Sequence, residues 1–408
     1  MTNQENTVPK DLELAEYRLD VRYQYSVLTD TQRVLYLRML EKFFRREVSF
    51  KISPEEFGID FYYIFEAVRC DFPELFEVSY ADIVLSDISE SENPLDPFTW
   101  TYKLVNYTSY TQEEYDEINK KLYDFLHLFD GIDDPFELEV AVYDYVIEHF
   151  AYAYHALPTL NEADRNNAEL ESREDMEVFT VAGPLKTGYG VCAAYARLVQ
   201  FVLQQNGICT AYMVAPSMDD NGKPDEFIYH AWLAVKLDGE YYHLDVTFDD
   251  TDGNDEGNFP YAHFNITDDE VDDDHIIGTM VYSYPDIVCR ATTYNYYRRR
   301  GLYFETAEEV ALAAFRFAND WDGVTEERIF YCRFTPGITE NEIRERIQAH
   351  YHNCKAKWMN TATNEEYGWI GVSMGYTAKP KPAPEPESEQ KPEPESDAKP
   401  KPEDPPAE

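Results

Sequence analysis

Apolar residues recur at helical spacing in several stretches of the chain, and the polar residues at their ends supply caps. The pattern predicts helices over Thr31 to Arg46, around Phe61 to Cys70, over Gln112 to Leu128 and over Pro135 to His149. Two more are expected further on, from Thr306 to Asn319 and from Thr339 to Lys357. Glu308 and Glu309 fall in the first turn of one, and Glu342 stands three residues after Thr339 in capping-box spacing in the other. Strand-like runs lie at Ala81 to Leu85, Trp100 to Tyr107, Arg328 to Phe334 and Gly368 to Tyr376.

Two central segments combine these periods with reactive side chains. Between Gly188 and Gly207 the apolar positions Tyr195, Leu198, Val199, Val202 and Leu203 define a helix that Gly207 stops. Gly188 and Gly190 mark a turn before it, so Cys192 falls at or near the first helical turn. There, unpaired backbone N–H groups and the positive end of the helix dipole stabilise a thiolate, the nucleophilic form of the side chain. A cysteine in an amphipathic helix is more often a small core residue, so the helix alone does not decide its role.

Further on, Phe227 to Leu237 and Glu240 to Phe248 are strand-like and joined by Asp238-Gly239, a strong hairpin signal. A two-residue loop sets Leu237 opposite Glu240, hence His230 opposite Thr247 and Trp232 opposite Asp245. His230 and Asp245 then share a face as diagonal neighbours, within reach of long side chains. A carboxylate on one imidazole nitrogen fixes the ring and leaves the other nitrogen for a thiol. His243 lies on the same face, and His230 is preferred because it is farther from the turn. A structural histidine in a buried hairpin is the competing explanation.

Composition changes the picture in one respect. With 79 acidic and 35 basic side chains among 408 residues, the formal net charge is −44. Nucleic acid and anionic lipid are therefore poor partners, whereas a protein or peptide substrate, basic ones in particular, stays open. No stretch approaches the apolar length of a membrane span, and the first twenty residues lack a signal-peptide pattern, so a cytoplasmic location is expected. The six cysteines include no Cys-x-x-Cys pair and read as reduced thiols. No zinc signature is present, and the acidic run Asp249 to Gly257 fails the EF-hand pattern, with Asp255 where Gly is needed and Tyr261 where Glu is needed. No metal or cofactor is expected. The segment Asp268 to Asp274 reads as a polar loop, with His275 bonding locally.

The runs G-V-C-A-A-Y-A, H-A-W and L-D-V-T-F-D-D, in this order, resemble the core motifs of the transglutaminase-like superfamily. The likeness extends to D-F-P-E-L-F from Asp71, to Y-D-Y-V-I-E-H-F-A-Y from Tyr143 and to F-N-I-T-D-D-E-V-D-D-D-H-I from Phe264, about half of the chain. It implies an α+β, papain-like core in which the cysteine helix packs on an antiparallel sheet. It also implies Cys192 as nucleophile, His230 as general base and Asp245 as orienting carboxylate. The implied chemistry is acyl transfer or hydrolysis at a peptide or glutamine-type amide through a thioester, with hydrolysis favoured. The alternative is a catalytically silent peptide- or envelope-binding protein on the same fold. Three positions depart from the usual pattern: Ala194 replaces Gly, Leu233 replaces Asn and Phe248 replaces Trp. The backbone N–H of Cys192 is one expected oxyanion donor and Tyr189 a candidate for the second.

The chain is expected to divide into an N-terminal helical and strand region (1–114), a catalytic core (115–290), a small C-terminal α/β module (291–377) and a disordered tail (378–408) rich in Pro, Glu and Lys.

Overall fold

The computed structural model describes residues 17–52, 61–79, 81–90, 98–105, 107–154, 173–218, 222–250, 259–272, 274–277, 287–365 and 367–377. The Pro-rich tail and most of the acidic run after Asp250 lie outside the described residues.

The N-terminal part builds α1 (Asp30–Phe44), β1 (Ser49–Ile52), α2 (Phe61–Asp71), β2 (Asp82–Glu90) and β3 (Phe98–Val105). Helix α1 starts earlier than the periodicity suggests, because Thr29 and Gln32 cap each other in a complete capping box. The three strands form an antiparallel sheet in the order β1-β3-β2. Leu37, Leu40, Phe65, Val68, Phe72 and Tyr102 are among the residues of its buried core.

The centre opens with α3 (Gln112–His127) and α4 (Pro135–His149), capped by Thr111 and Asp134. A short strand β4 (Ala151–Tyr152) then pairs in parallel with β5 (Tyr189–Gly190), directly before α5 (Cys192–Gln205). Strands β6 (Cys209–Met218), β7 (Pro224–Leu237), β8 (Glu240–Leu244) and β9 (Phe264–Ile266) form an antiparallel sheet in that order. Asp238 and Gly239 both take positive φ, 50° and 90°, as the tight turn requires, and Leu237 pairs with Glu240 as expected.

Helix α5 lies between α4 and the sheet, with Leu198, Val199, Phe201, Val202 and Leu203 all buried. Each such side chain contributes about 1.5–3 kcal/mol by leaving water, so the helix that starts at Cys192 is firmly seated. The arrangement is the α+β, papain-like core, a cysteine helix packed on an antiparallel sheet.

One strand is shorter than expected. The run to Phe248 leaves the ladder after Leu244, because the Asp245 N–H turns to the carbonyl of His263. Its Oδ1 accepts from the N–H groups of Thr247 and Phe248, forming a local turn. His230 therefore pairs with Ala215 of β6 and not with Thr247. The segment read as a polar loop contains a capped helical turn, α6 (Asp268–Val271).

The last part contains β10 (Tyr303–Phe304), α7 (Ala307–Asn319), β11 (Glu327–Phe334), α8 (Glu340–His350), β12 (Trp358–Asn364) and β13 (Trp369–Gly375), with sheet order β10-β11-β13-β12. The helix expected to reach Lys357 ends at His350, and a 3₁₀ turn leads into β12. Ile343, Ile347, Phe330, Ile370, Val372 and Met374 belong to its own core.

Candidate active site

Three elements converge on one point. Helix α5 presents Cys192 at its first position behind Val191, which is extended and offers no side-chain cap. The central strand β7 presents His230, and the turn after β8 presents Asp245. His230 Nε2 hydrogen-bonds to Asp245 Oδ2. The ring also hydrogen-bonds to the Cys192 thiol. The structure thus brings together all three residues singled out in the sequence, in the order thiol, imidazole, carboxylate.

The site is largely dry: Cys192 is 7% exposed and Asp245 2%. Burial pushes the Cys192 thiol up, but the charge and hydrogen bond of His230 outweigh it and bring it below its ordinary value. Burial pulls His230 down, while Asp245 and Cys192 together raise it to about 10. Asp245 is pushed up by burial and more strongly down by His230 and His275, so it stays ionised. The other five cysteines behave oppositely: burial raises Cys70 to about 12 and Cys209 to about 11, and also raises Cys289, Cys332 and Cys354.

A residue that the sequence reading missed stands against the thiol. Burial, and then the neighbouring Cys192, raise the Tyr152 hydroxyl on β4 above its ordinary value. Tyr152 is the last residue of the motif beginning at Tyr143, so the signal was present in the sequence but unassigned. Tyr189, the candidate named from the sequence, sits on the adjacent β5 and is 43% exposed.

Behind Asp245 lies an unexpected ring of alternating imidazoles and carboxylates. His275 Nε2 is 2.8 Å from Asp245 Oδ2, and its Nδ1 is 2.5 Å from Asp274 Oδ1. His263 bridges Asp274 and Asp249 at 2.7 and 2.9 Å. Burial lowers His263, and the two carboxylates raise it to about 10. His243, the rival on the hairpin face, is engaged elsewhere: it accepts from Trp232 Nε1 at 3.0 Å and meets Asp268 at 2.9 Å.

Among the described residues two groups have metal-ligand composition, His230 with Asp245 and His275, and His243 with Asp268 and Cys289. In the first, the ligand atoms already meet one another in hydrogen bonds. In the second, the Trp232 N–H occupies the Nδ1 lone pair of His243, which leaves the proton on Nε2, where the metal would have to bind. Neither donor set fits an ion without rearrangement. Beside His230 a cavity of about 290 Å³ is lined by Pro216, Met218, Trp232, Phe248, His275 and other residues. Of the departures from the family pattern, Phe248 packs over His230 and His275, while Ala194 and Leu233 are buried.

Residues 113–252 match the family model described as "Transglutaminase-like domain". Similar solved structures include a TGase, at 14% identity and TM-score 0.28 over 45% of this chain and 50% of that one. A candidate cysteine protease from Cytophaga hutchinsonii is similar at 12% identity and TM-score 0.23, over 41% of this chain and 64% of that one. A candidate protease from Parabacteroides distasonis follows at 10% and 0.22, over 73% and 63%. The chain spans half to two thirds of the length of these structures, and the likeness fixes neither substrate nor activity. No curated protein matches. The match to the family model thus places a transglutaminase-like domain over residues 113–252, the segment that contains Cys192, His230 and Asp245.

Proposed function

We propose that the protein is a cysteine-dependent acyl-transfer enzyme or hydrolase acting on a peptide or glutamine-type amide. Cys192 attacks the carbonyl, and His230 carries the proton from the thiol to the leaving ammonia or amine. Asp245 holds the ring, and water or an amine then releases the thioester. The observation that carries this reading is the meeting of the α5 start at Cys192 with His230 and the buried Asp245. Cys192 alone of the six is brought below the ordinary thiol value, by a histidine that a buried aspartate orients. The Cys192 N–H and the Tyr152 hydroxyl flank the place where an oxyanion would form. In the free protein Tyr152 and Cys192 neighbour each other, so a substrate carbonyl has to enter that contact. Residues 115–290 would form the catalytic core, with the flanking parts supporting it or binding substrate.

The same contact favours a second reading. With Tyr152 over a thiol that is 7% exposed, the fold would bind a peptide without turning it over.

An activated acyl ester separates the two. The enzyme reading expects acylation of Cys192 alone, read by peptide mass spectrometry, and its loss in Cys192→Ser. Release faster with added alkylamine than with water marks a transamidase; equal release marks a hydrolase. No acylation of Cys192, with the protein folded, supports the binding reading.

A further inference from the structure

We propose that His275 is a positioning residue for the site: it fixes the carboxylate that orients His230. The inference rests on the Cys192, His230 and Asp245 reading given above. Asp245 is held at both oxygens. Oδ1 accepts from the N–H groups of Thr247 and Phe248 at 2.8 and 3.3 Å. Oδ2, the oxygen that meets His230, has one other side-chain partner, His275 Nε2 at 2.8 Å. His275 is 3% exposed and packs against Trp232, Phe248 and His230 with ring centroids 4.8, 4.5 and 5.1 Å away. Carboxylates face both of its ring nitrogens.

What keeps His275 in place is itself tied back to the site. Asp274 meets His275 with one oxygen and His263 with the other, and His263 continues to Asp249. The Tyr143 hydroxyl on α4 lies 2.6 Å from Asp249 Oδ2 and 2.8 Å from the backbone carbonyl of Asp245. The series thus closes on the residue where it began, clamping the segment after β9 to α4 and to the catalytic turn. Charge-assisted bonds among side chains that are largely buried except at Asp274 resist rotation of the members they join. Outer partners of this kind commonly act on a reaction without touching the substrate.

Two replacements of similar polarity separate positioning from packing. In His275→Gln the amide reaches the place of Nε2 and can still donate to Asp245. In His275→Asn it reaches only the place of Nδ1, keeping Asp274 and losing Asp245. The readout is the rate of Cys192 alkylation by iodoacetamide as a function of pH in the full chain, with a thermal melt confirming folding. Positioning predicts a Gln profile close to the unmodified one and, at about pH 6, an Asn rate lower by about tenfold, the scale on which a lost orienting hydrogen bond acts. Should the Asn variant fail to fold, Asp274→Asn decides, since that side chain is 39% exposed: a slower acid-side rate supports the role and an unchanged profile overturns it. Equal profiles for the two folded His275 variants, whether both like the unmodified protein or both slowed, overturn the positioning role alone. An unmodified protein with no reactivity below pH 7 would instead overturn the underlying reading.

Discussion

At position 139 a carboxyl group is fully buried on α4, one oxygen accepting from Asn265 Nδ2 at 2.7 Å. Its Oε1 and the Oδ1 of Asn265 both lack a partner. Burial raises Glu139 to about 8, against the lowering hydrogen bond from Asn265. The sign follows directly. Below the unfolded value near 4.5 both states hold the proton; between there and about 8 the unfolded chain has lost it while the folded one keeps it. Stability therefore falls as pH rises through that window, by ~1.4 kcal/mol for each step of one in pH, and levels off above it. Glu139→Gln is expected to flatten this part of the stability profile and to be the more stable protein at pH 8 in urea unfolding. A slope unchanged by the substitution would show that Glu139 is ionised in the fold.

The loop into α5 carries a prediction at the scale of elements. Gly188 has φ 83° and nothing within 4 Å of an added Cβ, whereas a Cβ on Gly190 would lie 2.8 Å from Pro184 Cγ and 2.9 Å from Ala194 Cβ. Gly188→Ala should cost about 1–2 kcal/mol of stability through its left-handed backbone and leave thiol reactivity intact. Gly190→Ala should push the start of α5 and slow Cys192 alkylation below pH 7; melts and alkylation rates on both variants test the contrast. Elements of this kind were legible wherever sequence-local rules govern. Capping at Thr306 and Thr339, the Asp238-Gly239 turn and the period of α5 all act over a few residues. What periodicity could not show was set by distant partners. The strand stopped at Leu244 because Asp245 turned to His263, β12 was hidden by its mixed polar sequence, and the His263–Asp274–His275 series becomes visible only when the segment after β9 folds against the site. His230, preferred over His243, meets Asp245, and Asp245 reaches it from a turn and not from a paired strand.

Over the whole molecule the net charge of −44 gives a field that attracts cationic partners and weakens with salt. If steering toward the site operates, turnover or binding of lysine-rich peptides exceeds that of acidic ones at low salt and the difference shrinks at ~0.5 M, beyond the reach of surface charges. Equal rates at low salt would contradict it. No helix among the described residues is long and apolar enough to cross a membrane. The C-terminal part has its own core, yet Arg333 on β11 pairs with Glu270 of α6 at 2.6 Å, and Tyr294 and Tyr296 pack on the central cluster. We propose that residues 291–377 form a module docked on the catalytic core. Limited proteolysis should then leave core and module together.

The measurement closest to the central claim is the pH dependence of Cys192 alkylation by iodoacetamide, followed by peptide mass spectrometry in the unmodified protein and in His230→Ala. The account predicts rapid labelling of Cys192 below about pH 7, well under the roughly 8.5 of a free thiol, slow labelling of the other five cysteines, and loss of the acid-side reactivity in the variant. Labelling that follows an ordinary thiol in both proteins, or that is absent from both, would contradict a working Cys192–His230 pair.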